Sequence, residues 1–182
     1  MAIQVLENLV SYLAQRTKIN ANFAELDTRL ALREEEVGVS GYIRGASVTC
    51  TDADAYYPIV GAFVNKHIEG FTALPLENAI QYDSLQDLVM ELNEQISTQC
   101  SKNGAVLTFA VALNPSDPVL PAEIIDGSDV SREFATGTSG AMGNITTVEL
   151  TAGDKVQLVV KSSIAANVVS VLNVNTTIKR FF

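Results

Sequence analysis

The N-terminal residues carry apolar side chains at alternating spacings of three and four. In a heptad register counted from Leu9, large apolar residues occupy most a and d positions between Ala2 and Arg33. We call the following residues the seam: Val5, Leu9, Tyr12, Ile19, Phe23, Leu26 and Leu30. Such spacing is typical of a coiled coil, although an amphipathic helix packed on its own domain has a similar pattern. The pattern therefore predicts a helical stalk over residues 1–37, in which the seam faces partner helices.

The first half of this predicted helix has an apolar stripe wider than a seam requires. Ile3 and Val10 occupy b positions, and Leu6 and Leu13 occupy e positions. Residues 25–36 are instead dense in charge. The wide stripe fits either a thicker helical bundle or an end that docks into another protein. On the second interpretation, Ile3, Leu6, Val10 and Leu13 are docking residues.

From about Tyr42 onward, the apolar pattern changes to a period of two. The clearest alternating segments are residues 106–113, 146–150, 155–162 and 168–181. Turn signals separate the apolar segments at Asn103-Gly104, Asn114-Pro115, Asp126-Gly127 and Gly153-Asp154. Short strands divided by such signals favour an antiparallel sandwich or barrel. The sequence thus predicts a mainly β domain over residues 42–182.

Two segments of this domain are open to more than one interpretation. Residues 83–100 fit both helical spacing and a period of two. The Asn103-Gly104 pair favours a hairpin into the strand that follows, so we predict a strand over 83–100. The glycine-rich stretch 137–143 lacks a nucleotide-binding spacing, and we interpret it as a flexible loop between strands.

Charge and composition narrow the possible partners. The chain of 182 residues has a net charge of −9, which disfavours binding to nucleic acid. Charged residues make up only 18% of the chain, which suggests that partners cover part of the surface, although a β-rich fold also lowers this share. Polar residues interrupt the apolar N-terminus, so we expect neither a signal peptide nor insertion into a membrane. Cys50 and Cys100 are too few for a disulfide framework and are interpreted as buried free thiols, although one bridge stays an alternative.

No set of residues forms a persuasive catalytic or metal-binding constellation. His67 is the single histidine, so a histidine triad or a zinc site with two histidines is not available. Asp52 and Asp54 lie two residues apart but lack the further oxygen ligands of a calcium loop. We therefore expect no catalytic residue, no metal and no cofactor.

The C-terminal half resembles the tumour-necrosis-factor-like jelly roll, which also forms the globular heads of complement. The residues that carry the resemblance are "TTVELTAGDKVQLVVKSS" (146–163) and "SVLNVNTTIKRF" (170–181), and residues 77–83 and 105–114 fit its middle strands. The resemblance implies an antiparallel jelly-roll β-sandwich that forms a trimeric knob. It also makes the seam a trimerisation seam.

The segment "INANFAEL" (19–26) is similar to segments near the start of many bacteriophage fibre and virion proteins, where an Asn-x-Asn-Phe stretch lies in a short trimeric stalk. The resemblance implies a homotrimeric structural protein on a virion surface. The docking residues would then anchor it to another virion protein, in the capsid or in the tail.

Three functions follow from these resemblances. The first is a capsid decoration protein or head fibre, which the early start of the stalk favours. The second is a tail-borne fibre whose knob contacts a host surface receptor. The third is a carbohydrate-active enzyme on a jelly roll, which the lack of clustered His, Asp and Glu residues disfavours.

Overall fold

The computed structural model describes residues 12–26, 37–61, 63–74 and 79–181. The chain divides into two compact units, Met1–Glu36 and Val37–Phe182. The described residues of the first unit form one helix, α1 (residues 12–26). The predicted helix is therefore confirmed over this range, whereas its assembly into a coiled coil stays a prediction.

Helix α1 has the composition of a good helix former. Ala14, Ala21 and Ala24 lose no side-chain entropy in a helix, and the segment contains neither glycine nor proline. The Thr17 hydroxyl donates a hydrogen bond to the backbone carbonyl of Leu13 at 2.9 Å, within the helix itself. Every described residue of α1 is exposed in the single chain.

The described residues of the second unit form strands and one short 3-10 turn at Pro121–Glu123. The strands are β1 (Gly38–Cys50), β2 (Tyr57–Pro58), β3 (Val64–Glu69), β4 (Phe71–Leu74), β5 (Ala79–Tyr82), β6 (Leu88–Cys100), β7 (Ala105–Leu113), β8 (Val130–Phe134), β9 (Gly140–Leu150), β10 (Lys155–Ser162) and β11 (Asn167–Arg180).

These strands form two antiparallel sheets. The front sheet has the order β3-β1-β11-β6-β9, and the back sheet has the order β4-β5-β10-β7-β8, with β2 beside β10. From β8 onward, successive strands alternate between the sheets, so that β9 and β11 are in the front sheet and β10 is in the back sheet. The described part of the second unit is thus a mainly β, antiparallel sandwich.

The core lies between the two sheets and follows the pattern of the strands. On β6, every second residue from Leu88 to Cys100 is buried, as expected for a sheet with one face turned to solvent. The centre of the back sheet is instead covered on its outer face as well, because Val119, Ile124 and Tyr56 pack with Ala110, Ala112 and Val159. For this reason β7 reads as a nearly continuous apolar run in the sequence.

The strand predicted within residues 83–100 is confirmed from Leu88 onward, but the predicted hairpin is wrong. Strand β6 belongs to the front sheet and β7 to the back sheet, so the Asn103-Gly104 turn joins the two sheets. The side chain of Asn167 holds this corner, since its Oδ1 accepts hydrogen bonds from the backbone N–H groups of Ser101 and Lys102 at 3.2 and 3.1 Å. A local turn signal cannot show which sheet the next strand joins.

Two glycine-rich regions are strands rather than breaks in the structure. Strand β1 begins at Gly38, before the position near residue 42 that the sequence predicted. The stretch 137–143 is not wholly a loop, because β9 begins at Gly140. A Cβ atom at Gly140 would lie 2.7 Å from the Phe134 ring, and one at Gly41 would lie 2.4 Å from the Phe63 ring. These glycines allow close packing of neighbouring aromatic rings.

Candidate assembly surfaces

The described part of the seam is open to solvent in the single chain. The exposed fractions of its side chains are 62% for Tyr12, 53% for Ile19, 62% for Phe23 and 56% for Leu26. Their spacing places them along one stripe of α1. Four large apolar side chains in a row form an apolar stripe of the kind that marks a protein–protein contact.

Energetic considerations also favour a partner for α1. An isolated helix of this length is marginal in water, because forming its first turn costs more than the first hydrogen bond returns. Burial of each large seam side chain would contribute roughly 1.5–3 kcal/mol. Arg16, at the a position between Tyr12 and Ile19, is also exposed, and its long side chain can reach solvent past a partner helix.

The remaining predicted residues of the first unit lie mostly outside the described range. These are the seam residues Val5, Leu9 and Leu30 and the docking residues Ile3, Leu6 and Val10. Leu13, the last docking residue, lies on α1 with 50% of its side chain exposed. Its contact with a second protein stays a prediction.

A second candidate surface is the solvent side of the front sheet. Four cross-strand pairs of β6 and β11 present uncharged amides and hydroxyls there. We call these residues the polar face: Asn93 opposite Thr177, Gln95 opposite Asn175, Ser97 opposite Asn173, and Gln99 opposite Ser170. Two depressions of about 400 and 440 Å³ lie on this side of the sheet, and Gln95 and Asn175 line both. Ala141 and Gly143 of β9 line the first, where their small size leaves room.

An apolar patch lies at one end of the same sheet. Val89 and Phe181 are neighbours there, since the Phe181 N–H donates to the Val89 carbonyl at 2.9 Å. Their side chains are 44% and 50% exposed. The ion pair between Lys179 Nζ and Glu91 Oε1, at 3.0 Å, occupies the next position along the two strands, toward the polar face. Along the paired residues of β6 and β11, the solvent side of the sheet thus changes from apolar through charged to uncharged polar.

The candidates for metal binding or catalysis, Asp52, Asp54 and His67, lie on the surface of the sandwich. Asp52 Oδ2 accepts a hydrogen bond from the Tyr57 hydroxyl at 3.0 Å, and Asp54 lies in the same exposed loop. His67 is exposed on β3. Across the described residues, no group of three or more His, Cys, Asp and Glu side chains could hold a metal ion.

The cysteines are free and buried, as predicted. Burial raises the pKa of the Cys50 thiol to about 11, which disfavours the reactive thiolate.

Glu123 belongs to the loop after β7, where its carboxylate accepts hydrogen bonds from the backbone N–H groups of Leu120 and Ser116 at 2.8 and 3.1 Å. The bond from Leu120 is the main reason why the pKa of this carboxyl is lowered.

In the described ranges, no helix is both long and apolar enough to cross a membrane.

The sequence did not point to the polar face. Its only trace is the run of Asn, Gln, Ser and Thr at alternate positions in "LNEQISTQ" (92–99) and "SVLNVNTT" (170–177). That pattern becomes a surface only when β6 and β11, far apart in the chain, lie side by side.

Comparisons with known proteins identify the fold and no more. No protein-family model matches the chain, and no curated protein matches its sequence. Among solved structures, the chain is similar to the Eiger TNF from S. frugiperda, with a TM-score of 0.51 and 12% identity over 79% of this chain and 92% of that one. It is also similar to murine APRIL at pH 5.0, with a TM-score of 0.53 and 9% identity over 78% of this chain and 98% of that one. The expected TNF-like jelly-roll sandwich is therefore confirmed.

Proposed function

We propose that this protein is a non-enzymatic structural protein of a phage virion surface, which assembles as a homotrimer through α1 and displays its β-sandwich as a knob. The observation that carries the proposal is the exposed stripe of Tyr12, Ile19, Phe23 and Leu26 on α1. A second and third copy of α1 cover this stripe with the same residues. Closed cyclic symmetry lets one patch serve every copy.

Charge supports a particular contact between the copies. Each chain carries a net charge of −9, so a trimer carries three times that value. Contact through carboxylate-bearing surfaces would bring like charges together, which is unfavourable. The polar face of the front sheet consists of neutral amides and hydroxyls, which can exchange hydrogen bonds with water for hydrogen bonds with a neighbouring copy. We therefore infer that the polar face contributes to contact between knobs.

The attachment to the virion is assigned to the N-terminal end of the helix. Leu13 adds an exposed apolar side chain beyond the stripe that a seam needs, and the sequence places further apolar residues before it. Together with the similarity of "INANFAEL" to phage stalk segments, this favours a capsid decoration protein or head fibre. A tail-borne fibre that contacts the host is the alternative.

Labelling of particles separates these two attachments. An antibody against the sandwich is applied to intact phage particles from the source of this chain, and the particles are viewed by electron microscopy. The antibody should label the head. Labelling of the tail tip alone would assign the protein to the tail, and particles without label would overturn the virion proposal.

Deletion of residues 2–10 tests the anchor directly. The shortened chain keeps the seam from Tyr12 onward, so it should still form a trimer but fail to join particles. Incorporation at the normal copy number would show that the anchor lies elsewhere in the chain.

A further inference from the structure

The sandwich contains one buried carboxyl that no part of the proposed assembly uses. Glu94 lies on β6 among the residues turned to the core, between Leu92 and Ile96, and only 4% of it is exposed. A carboxyl in such a place is rare, because removal of a charge from water is costly unless a partner compensates for it.

Glu94 lines a cavity of about 30 Å³ between the two sheets. The walls are apolar and come from both sheets, with Ile43 and Ile178 on the front side and Ile80, Val156 and Leu158 on the back side. Thr176, which lies directly opposite Glu94 on β11, contributes the only other polar side chain among the described lining residues. The cavity therefore has two adjacent polar groups on an otherwise apolar wall.

Within the described part of the chain, the Glu94 carboxyl makes no hydrogen bond or ion pair with another residue. No other titratable residue lines the cavity there. Burial raises the pKa of this carboxyl to about 8, so at neutral pH it carries its proton. A protonated carboxyl still needs an acceptor for its O–H and a donor for its carbonyl oxygen.

We propose that this cavity is a solvent-binding site, in which the carboxylic acid of Glu94 and the hydroxyl of Thr176 hold about two ordered water molecules. The volume of the cavity is the reason for choosing water as the ligand. One water needs roughly 10–15 Å³ of such space, so the space of about 30 Å³ accommodates about two. The polar wall supplies hydrogen bonds that a wholly apolar cavity of the same size would lack.

The site ties the stability of the sandwich to proton uptake. Glu94 binds its proton in the folded state up to about pH 8 but releases it near its ordinary value of 4.5 in the unfolded chain. Between these two values the folded state holds more protons than the unfolded state, so stability falls as the pH rises. The stabilisation is complete below about pH 4.5 and is lost as the pH passes through about 8.

Two substitutions separate the water site from a merely tolerated buried acid. Glu94→Gln keeps a donor and an acceptor of the same shape but does not titrate in this range. Glu94→Met has a similar length but removes the polar atoms. Glu91→Gln, on the solvent side of the same strand, is the matched control.

The experiment combines high-resolution crystal structures with melting temperatures measured between about pH 5 and 9. We expect ordered water at hydrogen-bond distance from residue 94 in the unsubstituted protein and in Glu94→Gln, and an empty cavity in Glu94→Met. The melting temperature should fall with rising pH in the unsubstituted protein and in Glu91→Gln, and both position-94 variants should lose most of this fall.

A dry cavity in the unsubstituted protein, or a bound cation in place of water, would overturn the proposal. So would a pH dependence in Glu94→Gln equal to that of the unsubstituted protein. These three outcomes concern the cavity and not the number of copies in the assembly. The water site can therefore fail while the trimer stands, and the trimer can fail while the water site stands.

Discussion

Helix α1 and the β-sandwich treat their large apolar residues in opposite ways. Phe23 on α1 is 62% exposed, whereas Phe109 on β7 is completely buried between the sheets. The sandwich buries Phe109 and its other core residues between its own two sheets. The stripe on α1 is exposed in the single chain, and it matches the spacing by which helices pack on each other. The comparison teaches that the core of the sandwich forms within a single copy, whereas the stripe on α1 is the surface from which we propose an assembly.

Breaking the seam should have the largest effect on assembly and almost none on the sandwich. We predict that Phe23→Asp abolishes the trimer, because three carboxylates would meet at one buried layer. The melting transition of the sandwich should persist. Sedimentation and circular dichroism measure the two outcomes.

The control for that variant is Asn20→Asp, which adds the same charge to α1 outside the seam. It should leave the mass unchanged. Equal loss of assembly in both variants would show that net charge, and not the seam, decides association.

The complementary substitution is Phe109→Ala. Truncation of a fully buried phenylalanine costs about 3–5 kcal/mol, because it removes apolar contacts and leaves a cavity. Urea denaturation of the sandwich should show this loss of unfolding free energy. In contrast, Phe23→Ala should change the unfolding free energy of the dissociated chain by little, and a loss as large as that of Phe109→Ala would contradict the comparison.

A smaller effect should come from the corner between the two sheets. Asn167 is fully buried, its Oδ1 accepts from the backbone of Ser101 and Lys102, and its Nδ2 donates to Ser162 Oγ at 3.0 Å. Asn167→Ala should lower the unfolding free energy by about 1–3 kcal/mol, because buried backbone donors lose their partner. Asn103→Ala, in the exposed turn beside it, is the control and should cost much less.

The smallest expected change concerns the polar face. Gln95→Glu adds a carboxylate of nearly the same shape to a surface that three acidic chains would share. It should weaken association at low salt, and added salt should restore it because ions screen exposed charges. Glu149→Gln, at an exposed position near the C-terminal end of β9, should not weaken association. An unchanged dissociation constant for Gln95→Glu would remove the polar face from the interface.

How much the sequence could predict depends on the range of the interactions involved. The 3-4 spacing around Ile19 and Phe23 and the alternation along β10 and β11 are local patterns, and both predicted the correct element. The hairpin at Asn103-Gly104 failed because β6 pairs with β9 and β11, neither of which follows it directly. Gly140 lies in a strand because it pairs with Thr98 of β6, a distant segment that no local rule could identify. Glu94 interrupts the apolar series on the core side of β6, and no local rule could show that it lines a cavity between the sheets.

The mass of the full-length protein in solution tests the central claim most directly. One chain has a mass of 19.5 kDa. Sedimentation equilibrium at micromolar concentrations should give three times this mass. Circular dichroism of the same sample should show the helical signal of α1. A monomer across the whole concentration range would contradict the account, since it would leave the seam of α1 in water.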